Sequence, residues 1–138
     1  EAAELAEAVE EHRGETPPWI YYYTAPFYRL ERGWVYRLLG RDDERLNAEA
    51  IAHLSAGLAG LGDARQSEWA AEYIYHLAFA LFQAGEAGQA CASADEATAI
   101  ARRTGSARLL ARLRGLQRHM RARWPRDADV AALGDRLR

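Results

Sequence analysis

Residues 74–97 read IYHLAFALFQAGEAGQACASADEA, and their spacing decides the fold class. Small and aliphatic residues recur as I-x-x-L-A-x-x-L-x-x-x-G-x-x-x-x-A-x-x-x-A-x-x-A, carried by Ile74, Leu77, Ala78, Leu81, Gly85, Ala90, Ala94 and Ala97. Intervals of three and four put Ile74, Leu77, Ala78 and Leu81 on one helical stripe and the three later alanines on another. Gly85 between the stripes provides the turn. Ala78 is small where the first helix meets the second, and Ala90, Ala94 and Ala97 let the second lie tight against it. The unit is a helical hairpin.

The same signals extend in both directions. Apolar residues at three- and four-residue spacings predict helices over 1–13, from Thr16 to about 39, and over 43–61, 65–84, 87–104, 106–123 and 127–137. The separators Gly14, Gly40-Arg41-Asp42, Gly62-Asp63, Gly85-Glu86, Thr104-Gly105-Ser106 and Pro125 are stop or turn signals. Pro17 and Pro18 suit the first helical positions after a Thr16 cap, and Pro26 predicts a kink. Such short links between consecutive helices force antiparallel neighbours. The expectation is one all-α domain over 1–138, an antiparallel helical-hairpin stack of six to seven helices. The 74–97 offsets match the tetratricopeptide pattern, with a degenerate copy 45 residues earlier in which Gly33, Tyr36 and Gly40 replace Ala78, Leu81 and Gly85. Arg29 and Arg32 there stand in for Ile74 and Leu77.

Composition narrows the class of function. The 138 residues carry a net charge of −2, and all eighteen basic side chains are arginine. Ala, Leu, Gly and Arg dominate, as in GC-rich coding. The single cysteine, Cys91, excludes an internal disulfide and a cysteine-based zinc cluster. It reads as a buried thiol. Apolar runs are too short for a spanning helix or a signal peptide, so a cytoplasmic protein is expected, with no membrane partner. The chain opens at Glu1 directly in a helical pattern, which suggests a piece of a longer protein.

The run Pro18-Trp19-Ile20-Tyr21-Tyr22-Tyr23, the Arg32-Gly33 and Leu39-Gly40-Arg41 signals, the Ala84-Gly85-Glu86 turn and the Thr104–Leu109 hinge carry a resemblance. Together they resemble the C-terminal tetratricopeptide-like region of actinobacterial helix-turn-helix (lambda-repressor-like) transcriptional regulators. The resemblance implies that DNA is reached only through an N-terminal domain absent from these residues. It further implies a ligand- or protein-binding sensor domain; the alternative is a dimerisation or scaffold platform with no small ligand, acting as a homodimer.

Aromatic residues concentrate in two helices. Tyr75, Phe79 and Phe82 share a stripe distinct from the Ile74–Leu77–Leu81 stripe, and the resemblance assigns it to a concave groove. Packing against the next helix is the competing interpretation. Tyr23, Phe27, Leu30, Trp34 and Leu38 form a second stripe, expected in the core. Residues 97–126 contain nine arginines and no acid, whereas 1–60 hold eleven acids and six arginines. Arg108 and Arg112 are expected at one end of the groove, so the ligand-binding set is Tyr75, Phe79, Phe82, Arg108 and Arg112. That set suits a peptide, a partner protein or a small anionic, partly apolar ligand. A solvated arginine face is the plainer alternative for the run.

Catalysis has little support. His12, His53, His76 and His119 are scattered, with no metalloprotease motif, nucleophile elbow, phosphate loop or dinucleotide glycines. Glu49–His53 and Glu72–His76 fall at i,i+4, a spacing that can hold a metal when two pairs face each other but that ordinarily makes a surface pair. No catalytic residue, metal or cofactor is expected.

Overall fold

The computed structural model describes residues 25–138. Six α-helices occur among them: α1 (Ala25–Leu39), α2 (Glu44–Ala59), α3 (Glu68–Gln83), α4 (Ala87–Thr104), α5 (Ala107–Arg123) and α6 (Ala128–Arg136). No strand occurs among the described residues. The expected helix over 1–13, the Thr16 cap, Tyr23 and the path of the chain leading into Pro26 lie outside them.

Local chemistry places the helix ends. Asp43, Ser67, Ser106 and Asp127 each accept a backbone N–H in the first turn that follows, satisfying donors that the helix itself leaves unpaired. Gly85 and Gly105 end α3 and α4 with φ of +81° and +72°. That left-handed geometry lets Glu86 N–H reach the Leu81 carbonyl and Ser106 N–H the Ala101 carbonyl, both at 2.9 Å. The start expected at 65 moves to Glu68 because Gly62–Gln66 forms a 3₁₀ turn and Ser67 restarts the chain as a cap.

Consecutive helices pair as the hairpins α1–α2, α3–α4 and α5–α6. Helix α3 also touches α1, α2 and α5, while α4 meets α5 and α6. The described residues therefore form an all-α stack of antiparallel hairpins. In the central hairpin Ala78, Ala90, Ala94 and Ala97 are sealed at the helix crossing. The first hairpin uses Gly33 in the same way: a Cβ there would stand 2.6 Å from Leu54 Cγ. Arg29 and Arg32, which replace Ile74 and Leu77 in the degenerate copy, are exposed.

One polar lock joins the first two hairpins. Buried Asn47 of α2 donates from Nδ2 to the Ala80 carbonyl at 2.9 Å, and its Oδ1 accepts from Gln83 Nε2 at 2.6 Å. At the far end, Val130, Leu133 and Leu137 are buried, so α6 packs on α4 and α5 and closes that end of the stack.

The α1 stripe departs from expectation. Leu30 is sealed, yet Trp34 is 38% and Leu38 54% exposed. The reason is angular: α1 turns Leu30 and Gly33 toward α2, and Trp34 lies about 100° round the helix from Gly33, on the side facing α3. Among the described residues, no helix is long and apolar enough to cross a membrane.

The tight α3–α4 crossing makes a stability prediction. Ala94→Leu is expected to cost about 1–3 kcal/mol, because overpacking forces the helices apart. Exposed Ala99, substituted by leucine, should stay near wild type. Equal losses in urea denaturation would contradict the crossing.

Candidate functional site

The first helices of the three hairpins enclose a groove of about 270 Å³. Trp34 comes from α1, Trp69, Glu72, Tyr73 and His76 from α3, and Arg108 and Arg112 from α5. The α3 residues fall at offsets of zero, three, four and seven, which is one face of a helix. Three separate hairpins thus contribute to one surface.

Aromatic rings form much of it. Trp34 stacks on the His76 imidazole with centroids 5.5 Å apart, and Trp69 meets Tyr73 edge-on at 5.5 Å. Phe27 stacks on Trp69 at 6.0 Å. The Tyr73 hydroxyl donates to the Glu31 carboxylate. Burial, reinforced by that carboxylate, raises the Tyr73 pKa well above the usual phenol value, so it remains a donor.

The polar groups divide into paired and unpaired. Glu72 accepts from both Arg108 and Arg112, the latter Nη1 to Oε2 at 2.8 Å. Arg112 also lies over the Tyr75 ring, 5.1 Å from its centroid. The acidic group that these two arginines receive is therefore supplied by α3 itself. His76, only 4% exposed, has its Nδ1 buried with no hydrogen-bond partner. Burial, aided by the charges of Arg37 and Arg112, lowers its pKa to about 3, so the imidazole is neutral. Arg37 sits 4.4 Å over the Phe79 ring, and its buried Nε likewise has no hydrogen-bond partner.

The expected ligand set is distributed between groove and packing. Arg108 and Arg112 line the groove. Tyr75 is buried at 7% exposure beneath Arg112. Phe79 is half-buried between Arg37 and His119, and half-buried Phe82 packs against His119 and Trp124. This stripe faces α5, whereas the groove takes the neighbouring one through Glu72 and His76. The offsets Trp69–Glu72–Tyr73–His76 are a periodic signal in the sequence, but their mixed chemistry gives no uniform aromatic stripe. Arg37 carried no signal of its own.

Six of the nine clustered arginines have partners among the described residues. Arg108 and Arg112 hold Glu72, while Arg102, Arg103, Arg114 and Arg123 donate to the backbone carbonyls of Arg136, Gln66, Leu137 and Phe82 respectively. The run staples neighbouring segments together through carbonyls at their C-terminal ends. Glu49 and His53 do meet, 3.4 Å apart, whereas Glu72 turns to the arginines rather than to His76. Among the described residues, no three His, Cys, Asp or Glu side chains converge as metal ligands. Cys91 is buried, and burial raises its thiol pKa to about 11.

A wider cleft of about 770 Å³ lies between α1 and α2, lined in part by Tyr28, Arg32, Tyr36, Glu49 and His53. Its rim includes Ala25, the first described residue, so the three-helix groove is the better-defined surface. No protein-family model, curated protein or solved structure matches the chain.

Proposed function

We propose that the domain is the sensor or interaction module of a cytoplasmic bacterial helix-turn-helix transcriptional regulator, and that the α1–α3–α5 groove receives its ligand. The observation that carries this reading is the meeting of Trp34, Trp69, Tyr73 and His76 with two guanidinium groups on a surface built by three separate hairpins. Aromatic walls supply apolar contact area and the polar groups orient a bound molecule. The carboxylates nearest the groove are held in contacts that serve packing: Glu72 by two arginines and Glu31 by Tyr73. Recognition suits such a surface better than catalysis does. The ligand classes it fits are a short peptide, a segment of a partner protein or a small anionic, partly apolar molecule.

The coding sequence upstream of Glu1 tests the regulator assignment: a helix-turn-helix domain is expected, and an unrelated catalytic domain there would overturn it. Residues 1–138 alone should bind duplex DNA only weakly and without sequence preference, because the net charge is −2 and most of the arginine run is engaged in helix contacts. Fluorescence anisotropy in moderate salt checks this. Nanomolar, sequence-selective binding would contradict it.

A dimerisation platform is the second reading, favoured by a specific feature of α1. Val35, Leu38 and Leu39 are 51%, 54% and 57% exposed on adjoining positions of one helix. Sedimentation equilibrium separates the two readings: a dimer that dissociates on Leu39→Glu favours the platform, and a monomer at high concentration favours the sensor.

A further inference from the structure

Helices α1 and α3 run side by side with matched contacts one turn apart. Trp34 stacks on His76, and three residues later on both helices Arg37 lies over Phe79. A turn rises about 5.4 Å, so the Arg37 guanidinium lies close to the His76 imidazole, over Phe79 and just outside the groove lining. Burial first, and then the charges of Arg37 and Arg112, disfavour a proton on His76, and the two arginines repel one another. Glu72 answers Arg112, but no carboxylate of the described residues pairs with Arg37.

Two buried side-chain atoms without hydrogen-bond partners occur among the described residues, Arg37 Nε and His76 Nδ1. Buried polar groups are normally satisfied, because an unpaired one loses its hydration without compensation. Here both belong to side chains on adjoining turns of α1 and α3, and the His76 side chain lines the groove. A guanidinium prepared on an aromatic face and lacking an acid is a donor awaiting an acceptor.

We propose that the inner end of the groove, where its lining residue His76 adjoins Arg37, is a subsite for an oxyanion, a carboxylate or phosphate group, held by Arg37 and His76 with Arg112 as the outer guanidinium and with its apolar body against Trp34 and Tyr73. The subsite deepens the sensor reading and rests on it. It differs from a site at Arg108 and Arg112 alone, since Glu72 already answers those two. Arg37 supplies the charge that no side chain of the described residues neutralises. His76 supplies a neutral N–H donor.

Phenylacetate and its neutral analogue phenylacetamide are suitable probes, titrated into ¹⁵N-labelled residues 1–138 while the His76 ring and Trp34 indole signals are followed. Phenylacetate should bind about tenfold more tightly than the amide. It should also raise the pKa of His76 in the complex. Arg37→Gln should abolish the preference, Arg37→Lys should keep part of it, and Arg118→Gln, at an exposed position of α5, should leave it unchanged. Loss of the preference in every variant, Arg118→Gln included, would count against a role for Arg37. Equal binding of both probes at Trp34, with His76 unmoved, would overturn the anion subsite and leave the groove standing as an apolar receptor. Failure of both probes to shift either signal at millimolar concentration would overturn the subsite outright.

Discussion

Lowering the pH from 6.5 to 5 is expected to destabilise the domain by about 2 kcal/mol through His76 alone, at up to ~1.4 kcal/mol per pH unit. In the folded chain the imidazole is stacked under Trp34 and nearly sealed, and its pKa falls to about 3. In the unfolded chain it returns to the ordinary value near 6.5. A histidine with a depressed folded pKa holds its full stabilising share above the unfolded value. That share is lost as the pH falls from 6.5 toward 3, because the unfolded state binds the proton first. Most carboxylates titrate below this window, so the loss between 6.5 and 5 reports mainly on histidine. His53, exposed His119 and His12 are shared by wild type and variant, so a His76→Gln comparison isolates the one side chain. Urea unfolding at pH 6.5 and 5 should show a markedly smaller loss in the variant. Equal losses would mean that His76 is hydrated or paired in the folded protein.

Leu54→Ala is expected to cost about 3 kcal/mol, within the range for deleting a fully buried leucine. Leu54 is completely sealed, and it fills the space that Gly33 leaves at the α1–α2 crossing. Gly33→Ala alone should also destabilise, because its Cβ would meet Leu54 Cγ at 2.6 Å and Leu54 N at 3.0 Å. In the double variant the leucine Cγ is gone and the new methyl occupies part of the cavity. The remaining close contact is the backbone nitrogen, which a small helix shift relieves. The double variant should therefore be more stable than the sum of the single losses by about 1 kcal/mol, a coupling typical of contacting residues. Simple additivity in a denaturation cycle would show that the two residues do not share that space.

The helical hairpins were legible because their signals are local. Gly85 and Gly105 stop helices where the sequence places turns, and Ala78 with Ala94 marks a tight crossing from spacing alone. The cap at Ser67 was missed because Gly62-Asp63 is a sufficient turn signal by itself, and nothing nearby announces that the next five residues form a 3₁₀ turn. Site chemistry was less legible because it depends on pairs distant in sequence. Arg108 and Arg112 are visible as groove arginines, but their capture by Glu72 joins residues 36 and 40 positions apart. Tyr75, Phe79 and Phe82 do form a stripe, yet stacking of α3 on α5 buries Tyr75 and half-buries the other two. Arg37 and His76 become a unit only when α1 lies beside α3 in register. Helical periodicity reports which residues share a face, while neighbouring helices decide whether that face is open.

The inner faces of α1, α3 and α5 are proposed as the receptor surface. A two-dimensional ¹H–¹⁵N shift map of residues 1–138 tests it most directly, recorded against a mixed library of small carboxylates, phosphates, neutral aromatics and short peptides. The predicted result is that bound members move the Trp34 and Trp69 indole signals and the backbone of α3 around Glu72–His76, leaving the outward faces of α2 and α4 unchanged. Binding confined to α2, α4 or the α5–α6 seam, with both indoles unmoved, would contradict it.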